Sequence, residues 1–168
     1  MSISDILSLK TEHRDELKYR YELPKRSNIL VWVHLSNEKH TKKILDGLEI
    51  LPASFIVFWY IDEDNERKNV TFVEDHNKFD MTWLDAILWD CDDIKLEKVM
   101  EIWVVPLVNE NSYLWKILQE FHPGRAEWNA YLFKKWSYWS AYYALVRYLE
   151  NHNFPYDNRN LVKNVAWV

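Results

Sequence analysis

Glycine is almost missing from this sequence: only Gly47 and Gly124 occur among 168 residues. Loops that cradle phosphate depend on glycine, because a residue without Cβ lets a ligand press against the backbone. With two isolated glycines, neither a P-loop nor a G-x-G-x-x-G fingerprint can exist. Cysteine is scarcer still, and the single Cys91 excludes a disulfide framework and a cysteine-rich metal site. No apolar run approaches the roughly 20 residues a membrane span needs. The opening MSISDILSLKTEHRDELKYR is broken by charges and lacks the apolar centre of a signal peptide. A soluble, cytoplasmic protein with no membrane partner is the expectation. Positive charge is not in excess either. A net charge of −5 speaks against nucleic acid as a partner, since a binder needs a basic surface to displace counterions.

Aromatic residues are abundant, with ten tryptophans, and hydrophobic residues make up 48%. That is enough for a core and rules out disorder. The length suits one domain, residues 1–168, and no repeat, linker or low-complexity segment is visible. Ile3 to Tyr21 reads as a charged helix with loosely spaced apolar positions, ended by Leu23-Pro24. Ile29 to Val33 is a short apolar run, the pattern of a strand buried on both faces. Ser36-Asn37 can cap the next helix, which carries Ile44, Leu45, Leu48 and Leu51 and is closed by Pro52. Strands are expected at Phe55–Ile61, Val70–Val73, Ala86–Trp89, Ile102–Val108 and Tyr131–Phe133. Helices are expected at Met81–Leu84, Lys95–Glu101, Tyr113–Phe121, Trp136–Glu150 and Asn158–Val165. Alternating strands and helices imply crossovers and an α/β fold: a single Rossmann-like domain, with an open, mostly parallel sheet and helices on both faces. Ligands in such folds bind beyond the carboxyl ends of the strands.

Acidic residues follow two of these strands: Asp62, Glu63 and Asp64, then Asp90, Asp92 and Asp93. Carboxylates there can hold Mg²⁺, in an arrangement similar to the acidic pocket of receiver domains, or can be solvated turns. No spacing requires a metal or a cofactor. His13, His40, His76, His122 and His152 show no ligand spacing and read as surface residues. His34, at a strand's carboxyl end, reads as a ligand contact or a structural histidine. No serine occupies a nucleophile elbow, and Cys91 has no neighbouring histidine in sequence. Trp128, Tyr131, Phe133, Trp136, Tyr138, Trp139, Tyr142, Tyr143 and Tyr148 crowd one region. They can form core, a protein interface or homodimer contact, or a sugar-stacking platform.

Several phrases, in order, match a known pattern: Leu17-Lys18…Glu22-Leu23-Pro24, Val33-His34-Leu35-Ser36-Asn37-Glu38-Lys39-His40 and Ile44-Leu45-Asp46-Gly47-Leu48. They continue with Val99-Met100-Glu101-Ile102-Trp103-Val104-Val105-Pro106-Leu107-Val108, Asn111-Ser112-Tyr113-Leu114, Asn129-Ala130-Tyr131-Leu132-Phe133 and Leu161-Val162-Lys163-Asn164-Val165. Taken together, the chain resembles the C-terminal, donor-nucleotide-binding domain of bacterial glycogen and starch synthases. These are GT-B glycosyltransferases that use ADP-glucose. The resemblance implies a nucleotide-sugar donor site at His34, Lys39, Asn111, Ser112 and Tyr113.

Departures from the family pattern bear on activity. The family's Arg and Lys after the first strand neutralise the leaving diphosphate. Lys39 matches the Lys, while His34 stands at the Arg and is mostly neutral near pH 7. Losing one charged hydrogen bond of that kind costs about 1.5–3 kcal/mol. Ser112-Tyr113 replaces the glycine pair that admits the phosphates, and bulky residues replace glycines around Trp59-Tyr60. Lys98 occupies a position of the family's acidic motif, and one of Asp90, Asp92 or Asp93 would supply the remaining acid. The acceptor-binding half that closes the family's active site has no counterpart in these residues, so transfer is expected to be incomplete in this chain alone. The alternative expectation is a catalytically inactive relative kept as a protein-interaction module.

Overall fold

The structure is a computed structural model that describes residues 2–24, 27–58, 60, 66–74, 81–90, 96–112, 116–135 and 137–166. Six strands form one sheet: β1 (Leu30–His34), β2 (Ser54–Phe58), β3 (Val70–Val73), β4 (Ala86–Trp89), β5 (Val105–Asn109) and β6 (Tyr131–Phe133). Every pairing is parallel, in the order β3-β2-β1-β4-β5-β6. All residues of β1, β2, β4 and β5 are buried, as parallel strands covered on both faces must be. The α/β Rossmann-like architecture expected from the alternation is therefore present. Chain order runs outward from β1 to β3 on one side and from β4 to β6 on the other. Right-handed crossovers then place α2 (Glu38–Leu48) and α3 (Leu96–Glu101) on opposite faces.

Helix α4 (Tyr138–His152) packs on β5, β6 and α2, and α5 (Pro155–Val165) packs on α4. Gly47 makes the α2–α4 contact possible. A Cβ there would sit 2.5 Å from a ring carbon of Tyr142, whose hydroxyl donates to the Gly47 carbonyl at 3.1 Å. Aromatic packing fills the centre of the sheet. Trp32, fully buried in β1, lies 4.0 Å from the Phe58 ring and 5.3 Å from the Trp89 ring, centroid to centroid.

Helix α1 (Ile3–Arg20) begins with a capping box. The Ser2 hydroxyl accepts from the Asp5 N–H, and the Asp5 carboxylate accepts from the Ser2 N–H. Its buried residues are Ile6, Lys10, Arg14, Leu17 and Lys18, the spacing of one helical face. Three of these five are cations, which is why the apolar positions look loose in sequence. The Lys10 ammonium donates to the carbonyls of Leu84 (2.6 Å) and Trp103 (2.7 Å). Arg14 Nε lies 3.3 Å from the Asp85 carboxylate, which also accepts the Leu30 N–H at 2.8 Å. This network ties α1 to the amino ends of β1 and β4. Burial outweighs the pull of Asp85 and lowers the Lys10 pKa to about 8.

Left-handed backbone occurs among the described residues at Glu22, Trp103, Ala126 and Trp128, and at neither glycine. At Trp103 the pattern is a Schellman motif: Trp103 N–H donates to Met100 O and Val104 N–H to Val99 O. Glu22 ends α1 in the same way, through Tyr19 O and Lys18 O. The motif at Trp103 explains a shifted boundary. A strand is expected from Ile102, yet Ile102 and Trp103 turn, and β5 starts at Val105.

Residues 116–121, expected in a helix, form a turn followed by a bridge between Glu120 and Ala130. The Asn129 carboxamide accounts for this, accepting from Gln119 N–H at 3.1 Å and donating to Ile117 O at 2.9 Å. Residues 113–115 and Trp136 lie outside the described residues.

Candidate functional site

Strand order reverses between β1 and β4, so the crevice beyond their carboxyl ends is where this fold receives ligands. The backbone there is drawn together by Asp90. Its carboxylate accepts the Ser36 N–H at 2.5 Å and the Ser36 hydroxyl at 3.1 Å. The Asp90 N–H donates to the His34 carbonyl at 3.4 Å. One of the three acids expected to supply the family's carboxylate therefore bridges the two switch-point strands. Asp92, Asp93 and Cys91 lie outside the described residues, as do Trp59 and Asp62, Glu63 and Asp64.

His34 ends β1 with 2% of its surface exposed, its ring 4.4 Å from the Trp89 ring. It forms one wall of a cavity of about 230 Å³ that Ser36, Glu38, Thr41, Phe58 and Tyr60 complete. Asn37, rather than Ser36, caps α2. Its side chain accepts from the N–H groups of Lys39 (3.0 Å) and His40 (3.4 Å). Those donors would otherwise offer an anion site at the helix start. Lys39 is exposed on that first turn, outside the set of residues lining the cavity.

The other expected site residues follow β5. Asn109, buried at its end, donates from Nδ2 to Asp90 O at 3.4 Å and accepts the Asn111 N–H at 3.0 Å. Ser112 is buried and donates its N–H to Asn109 O at 3.0 Å, while Asn111 is exposed. Tyr113 lies outside the described residues. Asn109 therefore links the loop after β5 to Asp90, and thus to Ser36 and the end of β1. Tyr60 is half-buried beside Phe72, ring centroids 6.0 Å apart, and lines the cavity as a bulky residue would.

The electrostatics follow from these contacts. Glu38 lines the cavity and Asp90 spans the crevice, so two carboxylates stand at the carboxyl edge of the sheet. The Thr41 hydroxyl is directed at the Leu35 and Asn37 carbonyls, and the carboxylates suit hydroxyl groups of a ribose or sugar and disfavour phosphate unless a cation intervenes. Ser36, Glu38 and Thr41 matter to this geometry beyond the site residues expected from sequence. Ser36 could have been found by its position two residues beyond β1. Among the described residues, no cluster of three His, Cys, Asp or Glu is arranged to hold a metal, and no helix is long and apolar enough to cross a membrane.

No protein-family model and no curated protein matches this sequence. Among solved structures, the catalytic domain of starch synthase IV from Arabidopsis thaliana, solved bound to ADP and acarbose, is similar at a TM-score of 0.72 and 14% identity. The match covers 96% of this chain and 39% of that one. At such identity the likeness is one of fold: this chain has the α/β architecture of part of a starch synthase catalytic domain.

Proposed function

We propose that this chain is a glycosyltransferase-like donor-binding domain for a nucleotide sugar of the ADP-glucose type. It is cytoplasmic and incomplete as an enzyme without an acceptor-binding half. The observation that carries this reading is the cavity bounded by His34, Ser36 and Thr41 at the carboxyl edge, in a sheet with the fold of part of a starch synthase catalytic domain. In this reading Lys39 supplies the cation for the diphosphate, and His34, Asn111, Ser112 and Tyr113 border the donor. The carboxylates of Glu38 and Asp90 then receive hydroxyl groups of the ribose or sugar.

A second reading is favoured by the Ser36–Asp90 pair, which bridges the crevice with a carboxylate. There the domain is catalytically inactive and serves as an interaction module. Its contact surface is the aromatic C-terminal region, where Trp139, Tyr143 and Tyr156 are exposed.

Calorimetric titration with ADP-glucose, ADP and UDP separates the two. Submillimolar binding that Lys39→Ala abolishes supports the donor-binding reading. No nucleotide binding, together with a stable dimer by sedimentation, overturns it in favour of the interaction module.

A further inference from the structure

We infer that the outer face of α4 is a self-complementary interface whose partner is a second copy of this chain, with the two α4 helices antiparallel. The inference names a partner for the contact surface of the second reading and rests on that surface. It does not require the carboxyl edge to be inactive. Ala141, Ala144, Leu145, Tyr148 and Leu149 form the buried side of α4, which packs on the sheet. Trp139, Tyr143, Val146 and Glu150 lie on the opposite side, at spacings of four, three and four. Trp139 and Tyr143 are 66% and 62% exposed, Glu150 is exposed and Val146 is half-buried.

That alternating spacing is the seam by which two helices interlock. Here the seam is three apolar residues followed by an acid. In an antiparallel pair, the first position of one seam meets the last position of the other. A two-fold axis passing between Tyr143 and Val146 sets Tyr143 on Val146 of the second copy, and Trp139 on Glu150 of the second copy. Each contact then occurs twice. The indole N–H can only donate and a carboxylate can only accept, so the end of each seam is matched by the start of the other. A flat stacking surface for a sugar has no use for the acid that ends this stripe.

Charge selects the antiparallel orientation. Glu150 stands in the last turn of α4, where the helix dipole disfavours a carboxylate, while the first turn, which favours one, holds no acid. Cations gather at that first turn. Lys134 is tied to it, its N–H donating to Ser140 Oγ at 2.9 Å, and Lys43 of α2 lies 4.6 Å from the Tyr138 ring centroid. The antiparallel pair carries each Glu150 to the first turn of the other α4 and toward these lysines. A parallel pair would set the two Glu150 carboxylates against each other. Arg147, 4.9 Å from the Tyr143 ring centroid, is engaged with Glu120 and leaves the middle of the seam without net charge.

Sedimentation equilibrium of the full chain should give a dimer with Kd below about 100 μM. Tyr143→Glu should weaken it by at least about tenfold, with circular dichroism unchanged because the side chain is exposed. Glu150→Lys should weaken it about fivefold at low ionic strength, and adding Lys134→Glu to the same chain should recover that loss. Cross-linking reads the register in a Cys91→Ser background. Oxidation should join Trp139→Cys chains to Glu150→Cys chains, and should not join Trp139→Cys chains to each other, because those positions lie about 16 Å apart along the pair. A chain still monomeric at about 100 μM, a dimer that Tyr143→Glu leaves unchanged, or cross-links between two Trp139→Cys chains overturns the pair. A monomer that binds no nucleotide overturns the pair yet leaves the interaction module to another partner. A dimer that Tyr143→Glu dissolves and that binds ADP-glucose upholds the pair and overturns the inactive module.

Discussion

Raising the pH from about 7.5 to about 9.5 should stabilise this protein, and Lys10 should be the main reason. Lys10 is 3% exposed, its ammonium held between the carbonyls of Leu84 and Trp103, and its pKa is lowered to about 8 from 10.5. In the unfolded chain it titrates near the ordinary value. Between the two pKa values the unfolded state binds more protons than the folded one, so stability rises with pH across that window. The full linkage over 2.5 pH units is about 3 kcal/mol, of which about 2 kcal/mol falls between pH 7.5 and 9.5. Lys18, lowered by its own burial, works in the same direction. Tyr131 and Tyr148 oppose it mainly above pH 10, taking only about 0.2 kcal/mol each by pH 9.5, because burial raises their pKa and the unfolded tyrosines ionise first. Urea unfolding at the two pH values checks this. With a slope of about 2 kcal/mol per molar, the midpoint should move up by about 1 M. In Lys10→Met most of that movement should vanish. An equal shift in wild type and Lys10→Met would refute the assignment.

Two further predictions concern glycine. Glu22 is exposed with φ of 54°, a conformation costing a non-glycine residue about 1–2 kcal/mol, so Glu22→Gly should gain about 0.5–1 kcal/mol after glycine's larger unfolded entropy, seen as a rise in Tm by calorimetry. Gly47→Ala should lose about 1–2 kcal/mol in urea unfolding. Better helix propensity, worth about 1 kcal/mol, is outweighed by the clash with Tyr142 and the strained Tyr142-to-carbonyl hydrogen bond, and a gain in stability would show that the ring swings clear at little cost.

Much of the sheet was legible because parallel strands buried on both faces leave continuous apolar runs. Val70–Val73, Ala86–Trp89 and Tyr131–Phe133 match the expected bounds residue for residue. Helix α1 was legible as a helix, but its inner face was not. Apolar periodicity cannot reveal a buried stripe made of Lys10, Arg14 and Lys18, whose partners sit on distant strands. Helical spacing likewise suggested a helix through residues 116–121, where the Asn129 side chain, about ten positions on, supplies the competing hydrogen bonds. At the carboxyl edge, the apolar run Ile29–Val33 was enough to place His34 at a strand end, while Asn109, the last residue of β5, was not singled out. The pairing of Ser36 with Asp90 spans 54 positions and leaves no local signal.

The glycine shortage separates three demands that glycine usually meets together. Helix ends need only a positive φ, and Glu22 and Trp103 supply it against a modest penalty. Close packing of one helix on another needs empty space, which no side chain can supply, and there Gly47 is kept. A backbone cradle for phosphate needs both, and at the described switch point serine and aspartate bond to each other instead. Protein-against-protein contact has thus retained its glycine, while the ligand edge has polar side chains turned toward its own crevice. A ligand at that edge meets side chains such as Glu38 and Tyr60 rather than a bare backbone cradle. Carboxylates there offer acceptors to hydroxyl groups and none of the donors a diphosphate needs, which is why the donor-binding reading makes its phosphate contact through Lys39 and is tested at that residue.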